Sequence, residues 1–279
     1  MERLKKFKMI ADIGPNHNND YDRSCELIRQ AKDLGFWGVK FQLYTAEELY
    51  DDKDFQDLLR PAELDFELYK RLSIYAKSIG IKVSASVFSL HWYDKLKETK
   101  PDFIKVASSE IKMLDRIEKA AMLASDLKIP LFISNGMANH DDIIQASLVC
   151  AKQGALPQYF HCTAKYPASA RECQLTTISY YPYVGWSDHT VNIGVILAAW
   201  FAGAKVIELH LDLDDKKGYE YQFGHCWTVS EVKKLDRIVR DMLTSIYARH
   251  RPINKELRCD VKTGKRHSKK AEKENWIKK

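Results

Sequence analysis

Two histidines each close a short apolar run. Residues 183–186 lead into Ser187-Asp188-His189, and residues 205–209 lead into His210. Between them, residues 193–202 are apolar and rich in alanine, the composition of a buried crossover helix. Strand, helix and strand of this length form a βαβ unit whose strands run parallel. Parallel strands end at one edge of a sheet, where loops of such folds build sites, so both imidazoles reach that edge. Neutral imidazole is the commonest side-chain metal ligand. His189 and His210 are therefore expected to hold one divalent ion, against the plainer use of each as a hydrogen-bonding group at a strand end.

Two lysines point to an anion. Lys40 in GVKFQ and Lys105 in FIKVA are embedded in apolar strand sequence, where an ammonium is costly unless paired. With Ser86 and Ser108 nearby they resemble a cradle for phosphate or carboxylate. Asp12 as a partner of Lys40, and Glu110 as a partner of Lys105, are the competing uses. Glu110 also suits a general base or a metal-water partner. Other strand ends add Gln42, Ser134, Asn135, Tyr166 and Ser187, while His161, inside a strand, reads equally as a satisfied core group.

The elements that must position these residues alternate along the chain. Strand-like runs fall at 7–13, 38–42, 82–87, 103–107, 130–134, 158–162, 183–186 and 205–209. Helical patterns fall at 21–34, 62–79, 91–98, 114–125, 141–152, 193–202 and 230–247, with Asp20 or Asp22 as a cap and Gly35 and Gly80 as stops. Residues 43–61 read as a polar loop and 174–181 as a short or irregular crossover. Eight βα units in about 250 residues are the size of a (β/α)8 TIM barrel. A doubly wound sheet would carry a glycine-rich phosphate turn after its first strand, which Gly14-Pro15-Asn16-His17 does not supply. One barrel domain over 1–250 is expected, followed by a basic tail at 251–279.

Charge and composition narrow the classes. The net charge of +6 lies wholly in the last 25 residues, which hold ten Lys/Arg against four Asp/Glu, so the body is neutral and does not read as a nucleic-acid binder. That tail lacks hydrophobic periodicity and reads as solvated and partly disordered, or as a docking arm for an acidic surface. No apolar run is long enough to span a bilayer, and the first residues are too polar for a signal peptide. Six scattered cysteines without a CxxC pair fit reduced thiols in a cytoplasmic protein. Metal beside an anion cradle suits a sugar-phosphate or enolpyruvate reaction with Lewis-acid help.

Several motifs together resemble the sialic acid (N-acetylneuraminate) synthase family over most of residues 8–240: IADIGPNHNND, VKFQ, FIKVASSE, ISNGMA, FHCTAKYPAS, VGWSDHT and VIELH, in that order. The resemblance implies a (β/α)8 barrel that condenses phosphoenolpyruvate with an N-acetylmannosamine-like aldose, giving a nonulosonic acid and phosphate. It implies Mn2+ or Mg2+ on His189 and His210, polarising the open-chain aldehyde. Enolpyruvate C3 attacks that carbon, water adds at C2, and the tetrahedral intermediate loses phosphate. Lys40, Lys105 and Glu110 become the catalytic candidates, with Glu110 orienting a water. Ser86, Ser108, Ser134 and Ser187 join the lysines around the enol donor, and Gln42, Tyr166 and Asp12 face the sugar.

Three departures bear on that expectation. Asp12 stands where the family carries a glutamate, Ala164 where many members carry a polar side chain near the phosphate, and KKGYEYQFGHCWTVSE replaces the usual loop after the last strand. The family commonly adds a C-terminal antifreeze-like domain, where this chain has the basic tail. The chain would then be a truncated synthase, take its lid from a second copy or a partner protein, or recognise a different sugar. Two other readings use the same residues: another metal-dependent aldolase or ketose-acid phosphate synthase, with Lys216-Lys217 meeting a phosphorylated aldose, or a catalytically silent barrel that binds another enzyme.

Overall fold

The computed structural model describes residues 7–180 and 183–247. Its elements follow one another as β1 (Lys8–Asp12), α1 (Tyr21–Asp33), β2 (Gly38–Leu43), α2 (Ala46–Leu49), α3 (Lys53–Leu59), α4 (Phe66–Ser78), β3 (Lys82–Val87), α5 (Leu90–Glu98), β4 (Ile104–Val106), α6 (Leu114–Leu127), β5 (Leu131–Ser134), α7 (His140–Lys152), β6 (Pro157–Cys162), α8 (Thr177–Tyr180), β7 (Tyr183–Asp188), α9 (Ile193–Phe201), β8 (Val206–Asp212), β9 (Cys226–Thr228) and α10 (Val229–Tyr247). Strands β1 to β8 pair in chain order, all parallel, and β1 pairs with β8 to close the sheet into a (β/α)8 barrel. The chain divides into compact units Met1–Val239 and Arg240–Lys279. The tail expected at 251–279 lies outside the described residues.

Local chemistry explains the boundaries. Asp20 accepts a hydrogen bond from the Arg23 N–H and starts α1, and Asp65 does the same for Leu68 and α4. The fourth helix therefore begins at Phe66 rather than at residue 62, because Pro61 and the turn around it precede that cap. Residues 43–61 are not a plain loop. Asp52 caps α3 through the N–H groups of Asp54 and Phe55, and Thr45 and Glu48 form a capping box on α2. The crossover before β7 is short, as expected, with α8 as its one-turn helix.

A cluster of Ile10, Phe103, Phe132, Phe160 and Val206 forms a buried core, with Trp37 and Val184 against it. Above it the strands turn polar. Register places Asp12 beside both Lys40 and His210, Ser86 beside both Gln42 and Lys105, and Ser187 beside Glu208. The two layers touch where the Lys105 ammonium lies 5.5 Å from the Phe160 ring centre.

The last strand differs from expectation. It continues through His210 to Asp212, so His210 is inside β8 and not beyond it. Where β1 stops pairing, β9 takes over, with His210 opposite Cys226 and Asp212 opposite Thr228. Asp188, fully buried at the end of β7, ties this corner together: it accepts from Trp186 Nε1 at 3.0 Å, Trp227 Nε1 at 2.9 Å and Thr190 Oγ1 at 2.7 Å. Asp188→Ala leaves two buried indole N–H groups without an acceptor. It is expected to lower unfolding free energy by about 3 kcal/mol in urea denaturation; a loss under about 1 kcal/mol would show that water replaces the carboxylate.

Candidate active site

A cavity of about 720 Å3 opens at the carboxyl ends of the strands, and twelve of the residues named from the sequence line it, whereas Asn135 and His161 do not. Its floor is a chain of buried charges. Lys40 donates to Asp12 Oδ2 at 2.5 Å and to Ser86 Oγ at 3.1 Å. Lys105 donates to Ser134 Oγ at 2.7 Å, lies 3.3 Å from Glu208 Oε2, and Ser134 continues to Ser187 at 3.1 Å. Glu208 also stands 4.0 Å from Lys40, so it serves both ammoniums. Burial works against the charge on each lysine. At Lys40 the carboxylates of Asp12 and Glu208 outweigh it and raise the pKa, whereas at Lys105 burial wins, with Lys40 adding repulsion, and the pKa falls.

The carboxylates do not all pair as the sequence suggested. Glu110 pairs with Arg116, not with Lys105, and takes a further hydrogen bond from Ser109. Arg116, one turn into α6, was not anticipated. Asp12 accepts from Gly14 N on one oxygen and from Lys40 and Gln42 on the other, so its task is to set those groups. His161 donates its Nε2–H to the Cys173 carbonyl, 2.9 Å away, and lines a separate cavity of about 380 Å3 on the β5–β6 flank that has no lysine in its wall.

Across the floor the imidazoles gather. His189 gives its Nδ1–H to the Thr163 carbonyl at 2.7 Å, and His210 gives its Nδ1–H to Glu220 Oε2 at 2.7 Å. Both rings thereby keep Nε2 as the remaining nitrogen, and their centres are 5.5 Å apart. Burial, then the charge of His210, lowers the His189 pKa to about 3, so its imidazole is neutral. At His210 burial is overcome by Glu220 and Asp12, and the pKa rises to about 9. His225 follows at 4.6 Å from the His210 ring, and the ring of Tyr166 lies against His189 at 4.2 Å. One donor atom from each of His210, Glu220 and His225 falls within 4.8 Å of the others. Imidazole nitrogens with a carboxylate oxygen are a donor set that fits a first-row divalent ion.

Helices α2 and α3 supply an apolar wall, with Leu49, Tyr50, Phe55, Leu58 and Leu59 facing the same cavity. Sequence reading missed this wall, and missed Glu220 and His225 as members of the site. Glu208 is legible among the polar groups that end the last two strand runs, while the other two sit in an irregular segment whose only signal is the histidine itself.

A closed parallel barrel with buried lysines and clustered imidazoles at its carboxyl rim is built as an enzyme site, and the chain is of the sialic acid synthase type. The crystal structure of the N-acetylneuraminic acid (sialic acid) synthetase from Leptospira borgpetersenii superposes with a TM-score of 0.78 at 26% identity, covering 91% of this chain and 90% of that one. The chain belongs to the NeuB family, whose profile matches residues 27–249. It is 34% identical over 234 residues to the N,N'-diacetyllegionaminic acid synthase of Campylobacter jejuni, covering 76% of this chain and 69% of that protein. To the mouse N-acetylneuraminate-9-phosphate synthase it is 29% identical over 280 residues, 92% of this chain and 76% of the relative. Among the described residues no helix is long and apolar enough to cross a membrane.

Glu208→Gln removes the carboxylate shared by two buried ammoniums. The variant is expected to lose about 3 kcal/mol of stability, the usual cost of breaking a buried pair from one side. Chemical denaturation at pH 7 checks it, and a stability equal to the parent protein would mean that the floor is already solvated.

Proposed function

We propose that this chain condenses phosphoenolpyruvate with an unphosphorylated N-acetylmannosamine-like aldose to give a nonulosonic acid and phosphate, with a divalent ion, Mn2+ or Mg2+, at His189 and His210. The observation that carries this reading is the pair of buried lysines, each beside a serine hydroxyl, on the floor of the cavity that the imidazoles face. Each ammonium has three donors. Lys40 can thus keep Asp12 and Ser86 and still donate to the oxygens of the enol donor, and Lys105 can do so by giving up its long 3.3 Å contact to the Val106 carbonyl, with Ser86, Ser108, Ser134 and Ser187 completing the cradle.

Binding there directs C3 of the enol toward the aldehyde carbon, where the new C–C bond forms. Glu110, held by Arg116, orients the water that adds at C2, and departure of phosphate leaves the 2-keto acid. The ion, when bound, supplies Lewis-acid polarisation of the aldehyde. Gln42 and Tyr166 face the sugar hydroxyls, and the α2–α3 wall suits its N-acyl or deoxy carbons. Among the described residues Lys40 and Lys105 are the lysines in the cavity wall, and no arginine lines it. That favours an unphosphorylated sugar over an aldose phosphate, since Lys216 and Lys217 do not line the cavity.

Inorganic phosphate is the readout. With phosphoenolpyruvate and Mn2+ supplied, release is expected to depend on an unphosphorylated N-acylated hexose. Lys40→Met and Lys105→Met should each lower kcat/KM by about 100-fold, equivalent to about 3 kcal/mol, and His189→Ala and His210→Ala should each abolish release while the far-ultraviolet circular dichroism is unchanged. Turnover confined to hexose or pentose phosphates, or no release with any aldose, would sink the proposal.

A further inference from the structure

A carboxylate holds His210 at Nδ1. Glu220 Oε2 accepts the Nδ1–H at 2.7 Å, while Nε2, on the other side of the ring, lies 3.7 Å from Asp12 Oδ2. His189 is held at the same ring atom, its Nδ1–H given to the Thr163 carbonyl at 2.7 Å. An imidazole that binds a metal through one nitrogen gives its other N–H to a carboxylate or a carbonyl, which sets the rotation and tautomer of the ring. Thr163 does this for His189 with backbone, so the fold supplies it. Glu220 does it for His210 with a side chain, which must itself be held in place.

The irregular segment between β8 and β9 meets that need. Gly218 N donates to Asp212 Oδ2 at 2.9 Å, Tyr219 N to Asn18 Oδ1 at 2.9 Å, and Glu220 N to Asn16 Oδ1 at 2.8 Å. Asn18 also donates from Nδ2 to the Lys217 carbonyl at 2.7 Å. Asn16, fully buried, donates from Nδ2 to the Leu211 carbonyl at 3.0 Å, so one side chain ties the backbone of Glu220 to β8 one residue beyond His210. Gly14 clears the space for the carboxylate. Its φ is +47°, and a Cβ there would lie 2.8 Å from Glu220 Oε2, the oxygen that His210 uses. The other oxygen, Oε1, faces His225 Nε2 at 3.6 Å.

We propose that Glu220 is a positioning residue for the metal ligand His210: it takes Nδ1, leaves Nε2 for the ion, and does not bind the ion itself. The inference rests on the divalent ion assigned under the proposed function and deepens it by naming the group that sets one of the two ligands. A carboxylate on Nδ1 also makes Nε2 the more basic donor. A Glu–His pair with a purely structural role would support the fold and leave metal affinity untouched, so affinity separates the two.

Co2+ binding to the purified full chain tests this without reference to turnover. Calorimetry gives the affinity, and the visible absorption of bound Co2+ reports its ligand set. Glu220→Ala is expected to weaken Co2+ binding by about ten- to a hundredfold with the far-ultraviolet circular dichroism of the parent. Glu220→Gln, whose amide oxygen can still accept from Nδ1, is expected to recover most of that loss and to keep the parent spectrum. Parent affinity in Glu220→Ala would overturn the proposal. Equal losses in the two variants would also overturn it, since a positioning acceptor can be replaced by another of the same reach. If His210→Ala loses the ion and Glu220→Ala does not, the two-histidine reading survives and only the role of Glu220 falls. If the parent protein takes up no Co2+ or Mn2+, both fall. Should Glu220→Ala not fold, crystals of the unaltered protein soaked in Mn2+ decide: an anomalous peak at His210 Nε2 with Glu220 still on Nδ1 supports the assignment, and a peak bonded to Glu220 refutes it.

Discussion

Two ammonium groups inside a barrel constrain everything around them. Lys40 and Lys105 lie 3% exposed, where an unpaired charge is not tolerated. The fold answers with Asp12 from β1 and Glu208 from β8, so two cations meet two carboxylates across four strands. Period-two side-chain alternation means that a one-residue slip in any of those strands would turn its charge away from the interior. The charged layer thus fixes register alongside the aromatic layer beneath it.

The imidazole side of the cavity is organised by hydrogen bonds that decide tautomers. The Thr163 carbonyl and the Glu220 carboxylate each accept an Nδ1–H, which commits the neutral His189 to offering Nε2 and turns Nε2 of His210 toward Asp12. Asp188 does comparable work one layer outward. Beside His189 in sequence, it faces away from the cavity and holds two tryptophans, so the adjacent histidine inherits a rigid backbone. Anion floor and imidazole wall are then joined by Asp12, which touches Lys40 directly and lies 3.7 Å from His210 Nε2.

Much of this was legible in the sequence because barrels write their sites at strand ends. The alternation of β and α runs, the lysines in apolar strands and the histidines after them placed twelve side chains that do share one cavity. What could not be read has a common cause. The Glu110–Arg116 pair spans a turn from β4 into α6, and nothing in the spacing separates Arg116 from any other helical arginine. Glu220 and His225 owe their position to tertiary hydrogen bonds with Asn16 and Asn18, some two hundred residues away, which no local pattern encodes. Residues 43–61 look polar because their charged side chains face outward, while the apolar minority lines the cavity mouth.

That apolar minority separates what the site can bind from what it can convert. Under the proposed function the floor would recognise charge and be indifferent to the identity of a sugar, since lysine and serine contacts to a carboxylate or phosphate are the same for any partner. Discrimination has to come from the rim, where Tyr50, Phe55 and Leu58 stand 46%, 51% and 42% exposed with the cavity before them. Their exposure costs something in the free protein that is recovered when carbon is placed against them, at roughly 25 cal/mol per Å2 covered. A sugar carrying acyl methyls or a deoxy carbon gains there and a fully hydroxylated one does not. On that function, the β2–α4 connection of this chain would select among aldoses by how much apolar surface each presents.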